Sequence, residues 1–278
     1  MPLPVRVLYA SKDVPILDDF LKAEPPDAEP TTFRQIDFAA TPLPEYAGMY
    51  AVVLDHVLSA SECTALIRLA EASVVDANYN EADGTPWGPA LVNIGGGFEI
   101  AEPQYRNSDR IIWDQQEVVD RLWARLAAVP QVSDSLLAFG QSHLRGPVGA
   151  GGAPVQEWWD FHRLNRRMRF LRYGPGQFFR PHCDSAYSER TDDGHAVLTH
   201  FTVHLYLNDS RQEVGDASDL VGGATTFFSS DLARRLDVDP KAGRVLIFQH
   251  QRLYHAGDDV LAGTKYTMRT DILYRPRG

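Results

Sequence analysis

Apolar residues recur at helical spacing in the first half of this chain and give way, beyond Arg167, to short β-type runs divided by turn residues. After the apolar run Ala51 to Leu54, the stretch Ser59 to Ser73 carries a helical pattern, and Ser59 with Glu62 three positions on forms a capping box. A second helix is predicted from Asp114, with Glu117 three positions later, through Val118, Val119, Leu122 and Leu126 until Pro130. From Pro130 to about Arg166 the chain is punctuated by Gly, Ser and Pro, including Gly146 to Pro154, and reads as a long irregular loop. The later runs are Met168 to Tyr173, Phe178 to Cys183, Leu198 to Leu207, Ala224 to Phe228, Arg244 to His250 and Tyr266 to Tyr274. Short strands at this spacing predict a mainly β fold with flanking helices and a sandwich or jelly-roll core.

The organisation expected from this pattern has an extended, Pro-rich arm over 1–45 and one domain over 46–278. Within that domain, helical support occupies 46–130, a variable loop 131–166 and the β core 167–276. A formal net charge of −10 argues against bulk attraction to nucleic acid phosphates. The dense arginines Arg163, Arg166, Arg167, Arg169 and Arg172 read as a solvated face before a binding patch. Lys12 and Asp13 interrupt the N-terminal apolar positions, so neither a secretory leader nor a membrane span is expected, and a cytoplasmic setting follows. Cys63 and Cys183 are too few for a disulfide framework or a four-sulfur metal site, so any metal must be held by His and carboxylates.

Candidate chemistry concentrates at Arg180-Pro181-His182-Cys183-Asp184. On a strand, His182 and Asp184 share a face, so an imidazole and a carboxylate can close on one ion. A third ligand from a distant strand would complete a 2-His-1-carboxylate arrangement, which suits Fe(II) and leaves positions open; His255 in Tyr254-His255-Ala256-Gly257 is the candidate. An isolated His-X-Asp pair is common and more often structural, so the surrounding residues decide. By alternation Cys183 would turn away and fill core.

The run Tyr173-Gly174-Pro175-Gly176, then Phe179-Arg180-Pro181-His182-Cys183-Asp184, resembles a stretch of the prolyl 4-hydroxylase-like Fe(II)/2-oxoglutarate dioxygenases, with Phe179 where the family often has Tyr. Leu205-Tyr206-Leu207-Asn208, Gly222-Gly223-Ala224-Thr225-Thr226-Phe227, Gly243 to Phe248, His255 and Lys265 follow in the family's order. More faintly, Val53 to Leu58 with Glu62 and Cys63 resembles its opening helix. The resemblance implies a double-stranded β-helix holding Fe(II) through His182, Asp184 and His255, with 2-oxoglutarate as co-substrate, O2 as oxidant and ascorbate as a possible stimulant. It also implies that Lys265 meets the distal carboxylate of 2-oxoglutarate. Arg269, four residues on along the same face, is the second candidate, and the hydroxyls of Tyr173 and Tyr206 are further contacts.

The outcome implied is oxidation, normally hydroxylation, of a C–H bond with release of succinate and CO2. The substrate would be a small molecule or an amino-acid or protein side chain, without nucleic acid or membrane. The alternatives are a cupin-like metal-dependent hydrolase or isomerase, which would need no cation for a dicarboxylate, and a degenerate binding module, which a missing ligand would favour. Thr202, His204, Tyr206 and Asn208 share one strand face, as do Lys265, Thr267, Arg269 and Asp271; such polar faces point at water or into a wet cavity. His204, and less so His200, could flank that cavity. Tyr105 to Arg110 could line its entrance or form a surface turn; Trp158, Trp159 and Phe161 could cover it or anchor the preceding loop.

Overall fold

Beyond Arg167, each of the six expected runs forms a strand in the computed structural model, which describes residues 3–7, 9–76, 80, 84–140 and 158–277. The strands Arg167–Tyr173, Ala196–Tyr206, Val245–Gln249 and Lys265–Pro276 lie in one large antiparallel sheet. Phe178–His182, Thr225–Phe228 and His255–Gly257 lie in a second, with Arg106–Asn107 and Arg235–Val238 at its edges. Apart from short edge strands, the chain visits the two sheets in turn, and this winds it into a double-stranded β-helix, the jelly-roll core.

Alternation along the strands sorts the two faces. Phe201, Val203, Leu205 and Leu207 join Met268, Ile272 and Tyr274 in one buried cluster with Leu66, Val118, Leu122 and Leu126 of the supporting helices. Thr270 breaks this apolar series because its hydroxyl donates to the carbonyl of Asn165 at 2.6 Å. The opposite face, with Thr202, His204, Lys265 and Thr267, is polar and also shielded from solvent.

The first helix, Ala60–Ala72, has the expected capping box: the Ser59 side chain accepts from Glu62 N, and Glu62 accepts from Ser59 N. Glu62 also takes Arg125 of the second helix at 2.6 Å, which ties the two supports together. That second helix begins at Gln116 rather than after Asp114, with Gln115 as its cap. Asp114 ends the preceding strand, and both its oxygens are taken by Arg167 at 2.8 and 2.7 Å, so no carboxylate is free to cap.

The expected irregular loop is largely replaced by structure among the described residues: a helix Pro130–Leu136, a strand Ala138–Gly140 and a strand Trp158–Leu164 paired with Lys265–Pro276. Burial of Trp159 and stacking of Phe161 on Trp123, with ring centroids 4.2 Å apart, outweigh the weak local signal. Gly146 to Pro154 lies outside the described residues. Within the first 45 residues, Thr32–Gln35 extends the large sheet beside Ala51–Asp55, and Leu21, Ile36, Phe38 and Leu43 are buried.

Most of the arginine cluster is a set of ion pairs: Arg163 with Glu189, Arg167 with Asp114, Arg169 with Asp271 and Arg172 with Asp109. Gly243 is required where the chain passes the first helix: its φ is +74°, and a Cβ there would sit 1.8 Å from the carbonyl oxygen of Leu58. No helix among the described residues is long and apolar enough to cross a membrane.

Candidate metal centre

His182 ends one strand and lies directly opposite His255, which begins its antiparallel neighbour. Asp184 follows two residues after His182, past the strand end, and receives a 2.6 Å hydrogen bond from Thr202 of the other sheet. The three side chains each offer a ligand atom, and these atoms lie within 4.8 Å of one another. The Nε2 atoms of His182 and His255 are each 3.6 Å from a different oxygen of Asp184. A first-row divalent ion with bonds of about 2 Å wants adjacent donors roughly 3 Å apart, so a small contraction would seat it.

Local backbone sets the histidine tautomers. His182 Nδ1 is 2.8 Å from the carbonyl of Arg180, and His255 Nδ1 is 3.0 Å from that of Leu253. A carbonyl only accepts, so each Nδ1 carries the proton and each Nε2 presents a lone pair to the shared space. Burial holds the His255 pKa down to about 3, against the opposing pull of Asp184, so the ring is neutral. Burial alone would raise the Asp184 pKa, but Arg269, His255 and His182 together hold it well below the usual value. A neutral His255 and an ionised Asp184 are charge states that suit a divalent ion.

Phe179 stacks on the His182 ring at 3.8 Å, and the Arg106 guanidinium lies 4.6 Å from the Phe179 centroid. Tyr105 stands edge-on to Phe179 at 5.5 Å. Tyr105 and Arg106 of the Tyr105–Arg110 stretch therefore reach the site, whereas Asp109 and Arg110 pair with Arg172 and Glu99. Trp159 packs on His200 and Phe161 on Trp123, so these aromatics anchor their strand. Cys183 is exposed rather than core-filling, because the strand stops at His182 and alternation ends with it.

Lys265 is 2% exposed, and among the described residues it makes no ion pair. Its ammonium lies 5.1 Å from the Tyr173 ring centroid and 5.9 Å from that of Tyr206. Burial pulls its pKa down to about 8. A buried cation held only by two aromatic faces fits a ligand carboxylate. The Tyr206 hydroxyl is engaged by the carbonyl of Val238 at 3.2 Å, so its ring faces the ammonium while its oxygen is occupied. His204 is packed at 4.8 Å from the Tyr206 ring, and its Nε2 has no partner.

Arg269 is placed differently from Lys265. Its Nη1 is 2.6 Å from Asp184 Oδ1 and its Nη2 is 3.1 Å from Asp271 Oδ1. It sits beside the metal candidates, two pleat repeats along the strand from the buried ammonium. Thr202 and this arrangement of Arg269 are the features that sequence reasoning missed. A threonine in a strand carries no signal, although Thr202 shares the polar face with His204. A cleft of about 590 Å³ lies nearby, lined by Phe179, Gly223, Gly257 and several charged side chains, and it contains none of the three candidate ligands.

The residues of this site fall within a match to a known family. Residues 168–270 match the family described as the 2OG-Fe(II) oxygenase superfamily. Among solved structures, a prolyl-4-hydroxylase from Pseudomonas putida is 19% identical, with 87% of this chain and 100% of that chain covered and a TM-score of 0.47. A viral collagen prolyl hydroxylase from Paramecium Bursaria Chlorella virus-1, in its 2-oxoglutarate complex, is 20% identical over 81% of this chain and 97% of that one, with a TM-score of 0.45. A prolyl hydroxylase from Trichoplax adhaerens, in complex with a hypoxia inducible factor peptide fragment, is 15% identical over 80% and 82%, with a TM-score of 0.46. No curated protein matches the chain. Residues 168–270, which carry His182, Asp184, His255 and Lys265, match a 2OG-Fe(II) oxygenase core, and Fe(II) and 2-oxoglutarate are the cofactors that follow from this match and from the three ligand candidates.

Proposed function

We propose that this oxygenase hydroxylates a C–H bond of a small molecule or an amino-acid or protein side chain. For R–H, 2-oxoglutarate and O2, the products are R–OH, succinate and CO2. One oxygen atom enters R–OH and the other enters succinate; R–H and 2-oxoglutarate each give up two electrons, and O2 takes four.

The observation that carries the reading is the meeting of His182, Asp184 and His255 at one point, with a buried, unpaired Lys265 on the same polar face as Arg269. When bound, Fe(II) with 2-oxoglutarate would activate O2, which is the oxidant. In this reading His182 and His255 give Nε2 lone pairs, and Asp184 gives one oxygen while Thr202 and Arg269 steady the carboxylate. Lys265 receives the distal carboxylate of 2-oxoglutarate as a point charge, and the Tyr173 and Tyr206 rings wall that end. Arg269, which sits beside Asp184 at the metal end, is not placed to meet the distal carboxylate. Phe179 covers one side of His182 and keeps water from it.

A cupin-like hydrolase or isomerase would give the unpaired buried ammonium no purpose, and a degenerate binding module would have no need of a complete ligand set. The free thiols Cys63 and Cys183 suit the reducing cytoplasm expected of the chain. The test is anaerobic addition of Fe(II) and 2-oxoglutarate to the full chain. A weak visible metal-to-ligand band is expected, and His182→Ala abolishes it; folded, iron-loaded protein without the band would sink the assignment.

A further inference from the structure

Arg169 and Arg269 face each other in register on adjacent antiparallel strands. They share one carboxylate: Arg169 Nη1 is 3.0 Å from Asp271 Oδ2, and Arg269 Nη2 is 3.1 Å from Asp271 Oδ1. The remaining partner of Arg269 is Asp184. In the functional reading above, Asp184 is shared between the metal and Arg269. A bound Fe(II), the two guanidinium groups, Asp184, Asp271 and the keto-acid carboxylate of 2-oxoglutarate together then leave one positive charge uncompensated beside the metal.

Other groups there do not remove it. His250 places Nε2 3.4 Å from Asp271 Oδ1 and contributes no negative charge. Arg106 adds another cation 4.6 Å from the Phe179 centroid, and among the described residues it makes no ion pair. Arg269 Nε is buried without a hydrogen-bond partner. Lys265 belongs to the other end of the same strand, where it is reserved for 2-oxoglutarate.

Access separates the two ends. The Lys265 residue is 2% exposed, whereas the side chains of Arg169 and Arg269 are 24% and 21% exposed. Of the two cationic ends, the arginine side is the one open to solvent. Charge and access together call for an anion there, and the planar fork of an arginine suits a carboxylate.

We propose that the substrate is itself a carboxylic acid, received by Arg169 and Arg269 so that a C–H bond near its carboxylate faces the His182, Asp184 and His255 cluster. This rests on the oxygenase reading and narrows its substrate to free acids, amino acids included, in place of an uncharged stretch of peptide. The redox balance is the one given above, and the carboxylate is unchanged by it.

The test uses the full chain with Fe(II), 2-oxoglutarate and a panel of L-amino acids and simple four- to six-carbon acids, each beside its methyl ester or primary amide, and end-capped proline peptides. Two readouts are followed: substrate-dependent succinate release, and the anaerobic perturbation of the 2-oxoglutarate band on adding each compound. An acid that drives both while its ester and amide do not is the expected result. In Arg169→Gln the KM for that acid should rise about tenfold or more, with the 2-oxoglutarate band intact and Arg169→Lys recovering part of the loss. Coupling to esters or capped peptides and not to acids, coupling to nothing in the panel, or an Arg169→Gln defect in 2-oxoglutarate affinity would each overturn the proposal. Absence of the band in the unaltered chain is the separate failure of the oxygenase reading, and this proposal would fall with it.

Discussion

Thr202 donates a 2.6 Å hydrogen bond to Asp184 Oδ2 from the opposite sheet, so the carboxylate that completes the metal cluster is aimed by a residue on another strand. Arg269 holds the other oxygen. Partners of this kind fix which lone pair a carboxylate offers.

Replacement of Thr202 by Val keeps the shape and removes the hydrogen bond. Fe(II) affinity is expected to fall about 10- to 100-fold with the fold retained. Metal titration, with circular dichroism as the control, checks it; unchanged affinity would show that Arg269 alone suffices.

Lys265 sets a pH dependence for co-substrate binding. Burial lowers its folded pKa to about 8, so below that pH the ammonium is charged and ready for a carboxylate. Above it the free enzyme must first take up a proton. The Kd for 2-oxoglutarate is therefore expected to be nearly flat below pH 7 and to rise about tenfold per pH unit once well above 8. Lys265→Met should bind 2-oxoglutarate weakly at every pH, with iron retained. Calorimetric titration across pH decides; a flat profile to pH 9.5 would move the contact elsewhere.

Two glycines should fail in different ways. A Cβ on Gly223, at φ +75°, would stand 3.1 Å from Lys265 Cδ and from Val260, so Gly223→Ala is expected to displace the lysine and weaken 2-oxoglutarate binding. A Cβ on Gly243 would overlap the Leu58 carbonyl, so Gly243→Ala should cost about 2 kcal/mol or more in stability through strain away from the site. Urea melts beside 2-oxoglutarate titrations separate the two.

The Glu62 carboxylate closes the capping box and takes Arg125. Loss of both in Glu62→Ala is expected to cost about 2–4 kcal/mol, discounted from the fully buried case because the Arg125 side chain is 20% exposed. Urea denaturation measures it; a cost under about 0.5 kcal/mol would mean that the helices are held by apolar packing alone.

The strands beyond Arg167 and the cap at Ser59 were legible because each rests on local chemistry: alternation, turn residues, and a Ser and Glu three apart. The His182 and Asp184 pair was legible for a similar reason, although Asp184 lies past the strand that was expected to carry it. What failed to show were the effects of distant partners. Arg167 takes Asp114 out of its expected capping role, and Trp123 and His200 draw Phe161 and Trp159 into a strand where local residues suggested a loop. The division of labour between Lys265 and Arg269 depends on which strand faces each of them. Two cations four apart on one face look equivalent until Asp184 is brought beside one of them.

The strand Lys265–Pro276 pairs on one side with Ala196–Tyr206 and on the other with Arg167–Tyr173. Lys265 and Arg269 are four residues apart on it, roughly 13 Å at the usual rise per residue. That strand would work as a ruler: a co-substrate anchored at the sealed end and an acid anchored at the open end would be held at a set separation. Changes at the open end can alter what is oxidised without moving the anchor of the co-substrate, whereas a slip of one residue would misplace both together.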